Sequence, residues 1–407
     1  MHRLFSLFSL IVLIGLLAAP AAAQDSAGTM PTGNLPFAFD LYQALRGEDG
    51  NLFVSPSSIQ EAFWLAWAGA EGETATQIGR AMFGTETIDD LVAAGMPSAS
   101  GSQPSAPTDT TQPLPLTLRS ANALWAQQDF PWLPGYLDYA QRSGAPVQLV
   151  DYTIDPEAIR EQINAWVEDQ TEDKIQDLIP QGMIDVLTRM VIANAVYFQA
   201  NWEFAFEEAL TQDGEFRLRD GATVSVPMMS MGRGRMLRAH TGEGYTAVAL
   251  PYAGGTHEMV IIIPDDFSTF ESELTGQRYA DILAELQPTL ATVTMPRFSF
   301  EYETELNDAL AALGITDAFE PSLADFGRMY DRAAVAENLF VSAALHKAFV
   351  AVDEAGTEAA AATAIIIELT SAIVEEPLAI RIDRPFFFAI QDTLNTVLFA
   401  GRVVNPA

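Results

Sequence analysis

Apolar residues recur at helical spacing early in the chain, and in β-branched and aromatic runs later. In "DPEAIREQINAWVEDQTEDKI", Asp155 stands where a helix cap is needed and Pro156 in the first turn, while Ile159, Ile163 and Trp166 line one face. Those signals together predict a helix. "SPSSIQEAFWLAWAGAEGETATQIGRAMF", Ser55 to Phe83, reads as two helices, the second opened by Gly72 and carrying apolar Ile78 and Phe83. The texture then changes. "TRMVIANAVYFQANWEF", "GYTAVALPYAGGTHEMVIIIPDD", "ATVTMPRFSFEYE", "HKAFVAVDEA", "LAIRIDRPFFFAIQD" and "TVLFAGRVVNP" are strand patterns punctuated by Gly, Pro and Asp. Helices ahead of strands predict an α+β fold with large antiparallel sheets. Residues 97–115, "PSASGSQPSAPTDTTQPLP", hold five prolines and no large apolar residue before Leu114. That is the composition of a flexible exposed segment, read here as a surface insertion within one domain.

The first residues, "MHRLFSLFSLIVLIGLLAAPAAAQ", combine basic Arg3, an apolar run from Leu4 to Leu17 and small residues ending at Ala23. This is the layout of a secretory signal peptide over residues 1–23, and its apolar run is short for a membrane span. The mature chain, residues 24–407, is then expected outside the cytoplasm, extracellular or periplasmic. It has no cysteine, so no disulfide supports it, and a chain of roughly 380 residues can bury a large core without one.

The net charge of −33 comes from 54 acidic against 21 basic side chains. Such a surface repels phosphate backbones, so nucleic acid and anionic membranes are poor partners. Catalytic chemistry is sparse. Beyond the signal only His240, His257 and His346 remain, with no zinc-helix motif and no nucleophile elbow. "GRGR" at Gly232 to Arg235 lacks phosphate-loop spacing and reads as glycines of a hairpin turn. The pattern suggests no metal, no cofactor and no enzyme, leaving a secreted hydrolase as the alternative without a motif.

Five segments, in order, resemble signature segments of the serpins: "NLFVSPSSIQEAFWLAWAGAEGETATQI", "VIANAVYFQANWEFAF", "MPRFSFEYETELNDALAALGITDAF", "ALHKAFVAVDEAGTEAAAAT" and "RPFFFAIQDTLNTVLFAGRVVNP". The resemblance implies three β-sheets, about nine helices and an exposed reactive-centre loop within residues 354–380. In inhibitory members a serine protease attacks that loop and forms an acyl-enzyme. The cleaved loop then inserts into the largest sheet and traps the protease covalently. A non-inhibitory carrier or chaperone is the alternative within the family.

The loop itself can be checked for that task. A central strand alternates its side chains between two faces, and from Thr357 one face carries Thr357, Ala359, Ala361, Thr363, Ile365 and Ile367. Glu358 and Glu368 both fall on the other face, and no Pro, Lys or Arg occurs between Glu354 and Leu369. Alanine and glutamate also suit a helix, which the loop can adopt before cleavage.

By resemblance, Glu354, Gly356, Thr357, Glu358 and Ala359, Ala360, Ala361 and Ala362 form the hinge, with Gly356 expected to supply flexibility. Ser55, Ser58, Asn194 and His346 match a polar cluster where the sheet parts. Trp202, Arg297 and Glu354 match the top of the sheet, with an Arg297–Glu354 ion pair tethering the hinge. Counting from the hinge places the cleaved bond at Thr370–Ser371, with Leu369–Thr370 as the rival; counting back from Pro385 moves it toward Val374–Glu375. With no Lys or Arg nearby, elastase-like, subtilisin-like or chymotrypsin-like proteases fit better than trypsin-like ones. "TETIDDLVAAGM" has no basic cluster, so no heparin activation is expected. The expected state is a monomer.

Overall fold

The computed structural model describes residues 33–47, 49–86, 117–143, 147–336, 338–357 and 376–407. Residues 1–23, read above as a leader, residues 97–115, read as an insertion, and residues 358–375, which include Glu358, Ala359 to Ala362, Leu369, Thr370 and Ser371, lie outside the described residues. Eight α-helices occur among those described: α1 (Leu35–Leu45), α2 (Pro56–Gly69), α3 (Gly72–Ile78), α4 (Pro134–Arg142), α5 (Pro156–Gln170), α6 (Phe267–Glu273), α7 (Gly276–Glu285) and α8 (Asn307–Ala312). The strands are β1 (Leu52–Val54), β2 (Thr117–Gln127), β3 (Val147–Val150), β4 (Met190–Asn201), β5 (Gln212–Arg217), β6 (Thr223–Ser230), β7 (Arg235–Gly242) and β8 (Tyr245–Pro251). They continue with β9 (His257–Pro264), β10 (Gln287–Pro296), β11 (Phe298–Glu305), β12 (Leu345–Val352), β13 (Gly356–Thr357), β14 (Leu378–Arg381), β15 (Phe386–Asp392) and β16 (Val397–Val403).

The helix signals act as their chemistry requires. Asp155 caps α5 by accepting the Ala158 N–H at 3.0 Å. Ser55 caps α2 by accepting the Ser58 N–H at 3.2 Å, with Pro56 next. Every residue of α2 is buried, so this helix runs through the core beneath the sheet. The two element types interleave more than their order in the sequence predicted. The long β2 lies in the helix-rich half, and α6 and α7, capped by Asp266 and Thr275, lie among the strands.

The central sheet has the order β11-β12-β13-β4-β2-β3, with β12 also pairing β4. One face rests on the main core, to which Phe198, Ala348, Val350 and Val352 belong. The other face carries a second core in which α5 and Ile175, Leu178, Ile179 and Ile184 pack on Ala193 and Ala195 of β4.

The remaining strands form one ladder of ten. It divides into two sheets, because β6 and β7 pair in succession along the same edge of β10. Ser230 pairs with Thr294 and Arg235 with Ala291, so the β6–β7 side carries two more residues than β10 over the same stretch. "GRGR" is therefore a bulge in a strand that passes from one sheet to the next, and the hairpin reading is corrected. Gly232, at φ 72°, supplies the left-handed step that the bulge requires. With β5 and β14, β10 and β6 form a small sheet; β7, β8, β9, β15, β16 and β1 form a larger one. The architecture is α+β with three sheets.

Candidate functional site

The central sheet contains a fork. Strands β12 and β4 run parallel and pair directly only at Lys347–Phe349 against Ala195–Tyr197. Above that closure β13 is seated between them, Thr357 pairing with Val352 on one side and Ala200 on the other, antiparallel to both. Below it, an opening of about 480 Å³, counted out to solvent, is lined by Met190, Ile192 and Asn194 from β4, Leu345 from β12, and Ile59 and Phe63 from α2. Extended downward, β13 would turn a parallel contact, the weaker kind per residue, into two antiparallel ones.

Close packing and charge hold the top of the fork. Gly356 is buried where a β-carbon would lie 2.1 Å from the Ala200 carbonyl oxygen. That close approach admits only a residue without a side chain. Thr357, 1% exposed, shares a hydrogen bond of 2.7 Å with the Tyr252 hydroxyl. Trp202 stacks on Tyr252, with ring centroids 4.6 Å apart and planes within 8°. Its indole N–H donates to the Asp353 carbonyl at 3.0 Å, and its backbone N–H to Ala355 at 2.9 Å.

The Glu354 side chain, 5% exposed, accepts from Arg297 Nη2 at 2.6 and 2.7 Å and also from the Thr211 hydroxyl. Burial raises its pKa, but these hydrogen bonds and the guanidinium charge lower it by more, leaving it below the ordinary value. The structure thus brings together Trp202, Arg297, Glu354, Gly356 and Thr357.

It also joins Ser55, Ser58, Asn194 and His346 in one buried network at the lower end of the closure. His346 Nε2 accepts the Ser55 N–H at 3.2 Å, and Nδ1 lies 3.2 Å from Asn194 Oδ1. Asn194 Nδ2 donates to the Ser58 hydroxyl at 2.6 Å and to Asn122 Oδ1 at 2.6 Å. Burial drives the His346 pKa down to about 3, so the ring is neutral and Nδ1 carries the proton toward Asn194. The network links α2, β4 and β12 at the place where parting the strands would break it.

The model of the family described as "Serpin (serine protease inhibitor)" matches residues 32–406. The chain belongs to the serpin family. It is 35% identical over 391 residues to the leukocyte elastase inhibitor of Equus caballus, covering 93% of this chain and 99% of that one. An uncharacterized serpin-like protein of Thermococcus kodakarensis is 36% identical over 388 residues, covering 91% and 84%. Among solved structures, the native state of the thermophilic serpin tengpin superposes with a TM-score of 0.78 at 28% identity, covering 91% of this chain and 93% of that one. Members of this family are in general protease inhibitors and not enzymes.

Several contacts of this serpin's fork escaped the sequence reading. Tyr252, Thr211 and Asn122 are polar residues whose partners lie far away in the chain, and nothing local distinguishes them. Lys347 did carry a signal, as a charge inside the apolar strand "ALHKAFVAV". Its side chain, 9% exposed, donates to the Gln176 carbonyl at 2.9 Å and pairs with Glu301 and Glu303 at 3.3 and 3.4 Å. Gln176 belongs to the segment after α5, whose apolar residues pack on β4 and, through Leu345 and Phe349, on β12. That segment lies across the seam that a new strand would have to open.

Proposed function

We propose that this serpin is an exported inhibitor of serine proteases that traps its target as a covalent acyl-enzyme by inserting the cleaved loop into the central sheet. The observation that carries the reading is the seating of Gly356–Thr357 between β12 and β4, antiparallel to both. A strand of about twelve residues gaining ladder bonds on both sides, at about 0.5–1.5 kcal/mol each, releases on the order of 10 kcal/mol. That is comparable with the stability of a protease domain, about 5–15 kcal/mol. Residues Ala359 to Ala362 are small enough to follow Thr357 into the sheet.

The leader over residues 1–23 supports export, and the family match begins after it, at residue 32. The likeness to a leukocyte elastase inhibitor and the absence of Lys and Arg from "IIIELTSAIV" around Leu369 and Thr370 support an elastase-like, subtilisin-like or chymotrypsin-like target. The protein acts as a monomer without heparin, nucleic acid, membrane, metal or cofactor. Incubation with elastase, subtilisin and chymotrypsin, followed by denaturing electrophoresis, tests the reading. A covalent band is expected, and cleavage without one would overturn it. Mass spectrometry of the released peptide then places the bond: a new N-terminus at Ser371 is expected, Thr370 would favour the rival, and Glu375 or beyond would refute the count from the hinge.

A further inference from the structure

Helix α2 carries a single ionisable residue, Glu61, and that residue is buried, at 6% exposed. Its place follows from a match between two repeats. Three residues of an α-helix advance about 4.5 Å along its axis and neighbouring strands lie about 4.8 Å apart, so residues three apart on a helix crossing a sheet fall under successive strands. Ser55, Ser58 and Glu61 do so here. The Ser55 N–H donates to His346 of β12, the Ser58 hydroxyl accepts from Asn194 of β4, and a Glu61 carboxylate oxygen accepts from Asn122 of β2 at 2.9 Å. Asn194 pairs with Asn122 in the ladder and meets His346 through its side chain, so the three strand residues form one row across the sheet.

One end of this row is fixed. The hydroxyls of Ser55 and Ser57 both donate to the Leu398 carbonyl of β16, at 2.8 and 3.3 Å, which fastens the start of α2 to the larger sheet. At the other end β2 and β4 are paired from Thr117–Gln199 to Ala126–Met190 and move as one body. A strand entering between β12 and β4 therefore carries β4 and β2 along α2 by one strand spacing, about 4.8 Å. That displacement takes Asn194 from Ser58 to the level of Glu61.

We infer that Glu61 is a positioning residue for the inserted state, the acceptor to which the Asn194 amide passes when the sheet admits its new strand. The inference rests on the inhibitory reading above. In the native chain Glu61 holds Asn122, which is half-buried and turns its amide to water once the step is made. Asn194 has no such exit. It is 3% exposed, and although it keeps its bond to Asn122, the N–H released from Ser58 stays buried and needs an acceptor ahead of it. The next residues of α2 at this spacing, Trp64 and Leu65, have no acceptor in their side chains, so the track ends after one step.

The test cuts the loop of the wild-type protein with thermolysin, a metalloprotease that forms no acyl-enzyme, and solves the crystal structure of the cleaved form. With the new strand in place, Asn194 Nδ2 is expected within about 3.0 Å of a Glu61 oxygen. An inserted strand with Asn194 still on Ser58 would overturn the inference. Variants supply a readout that a merely structural role would not move. Glu61→Leu should lower the guanidinium midpoint of the cleaved protein more than that of the native one, and raise the moles of inhibitor consumed per mole of elastase about twofold, because insertion then ends on an unpaired buried amide. Glu61→Gln, whose amide oxygen still accepts, should restore both. A loss as large in the native form would assign Glu61 to Asn122 alone and overturn the inference; if Glu61→Leu does not fold, the cleaved wild-type structure decides. The inhibitory reading fails separately. An inserted loop with no covalent elastase band would sink inhibition and leave the step standing, whereas cleaved wild type that melts as the native chain does would show that no strand enters and would sink both.

Discussion

Gly356 lies so close to Ala200 that a β-carbon on the glycine would sit 2.1 Å from the alanine's carbonyl oxygen. The obstructing atom belongs to the backbone of β4 and cannot rotate away, so Gly356→Ala has to push the hinge out of the fork. Overpacking of this kind costs about 1–3 kcal/mol. The variant should melt at a lower temperature and consume more inhibitor per protease, because loop insertion starts from a displaced position. Melting and stoichiometry both equal to wild type would show that β13 does not need this contact.

Thr357 is the first side chain of the incoming strand to be buried against the core, where it meets Tyr252. Thr357→Arg would place a charge there with no partner, at a cost of several kcal/mol. Proteases should still cut the loop while the covalent complex disappears. A complex yield like that of wild type would mean that trapping does not depend on insertion at this point.

Much of this architecture was legible in local patterns, and the misses have physical reasons. The α5 cap and the apolar runs of β9, β12 and β15 each encode an element by themselves. Strand β2, "TLRSANALWAQ", mixes polar and apolar residues because Asn122 bonds Asn194 and Glu61 beneath the sheet, which blurs its alternation. The site is non-local: Ser55 and His346 are 291 residues apart, and Arg297, between β10 and β11, is 57 residues from Glu354, between β12 and β13. No window contains either pair, so only the resemblance of whole segments could assemble them. The same holds for the bulge at Gly232, where the two extra residues are defined by their register against β10.

Acid should loosen the fork in two stages. Unfolded, His346 titrates near about 6.5, whereas burial holds it at about 3 in the folded chain. As pH falls from about 6.5 toward about 3 the unfolded chain binds a proton that the native state does not, so stability declines by up to about 1.4 kcal/mol per pH unit. Burial lowers the His257 pKa as well and adds in the same direction. Glu354 acts at lower pH: its folded value is depressed, so its contribution is complete above its ordinary value of 4.5 and is lost as pH falls through the folded one. Urea denaturation at pH values from 7.5 to 5 should show a steeper decline for wild type than for His346→Gln. Equal slopes would mean that the imidazole is not the group that responds.

The seam between β12 and β4 should open more readily once Lys347 lets go of the segment above it. Its ammonium donates to the Gln176 carbonyl and faces Glu301 and Glu303 on β11, so one side chain ties the covering segment to two strands of the sheet. Hydrogen bonds from a charged donor contribute about 1.5–3 kcal/mol, and the exposure of both glutamates reduces the ionic part. Lys347→Met keeps an unbranched apolar stem of similar length and removes the tie. Native stability should fall by about 1–2 kcal/mol. The amides of residues 347–349 and 195–197, which form the only direct closure between β12 and β4, should exchange hydrogen faster than in wild type, while those of β15 and β16 stay as they were. Faster exchange everywhere would mean global destabilisation, and unchanged exchange at the closure would show that Lys347 does not restrain the seam.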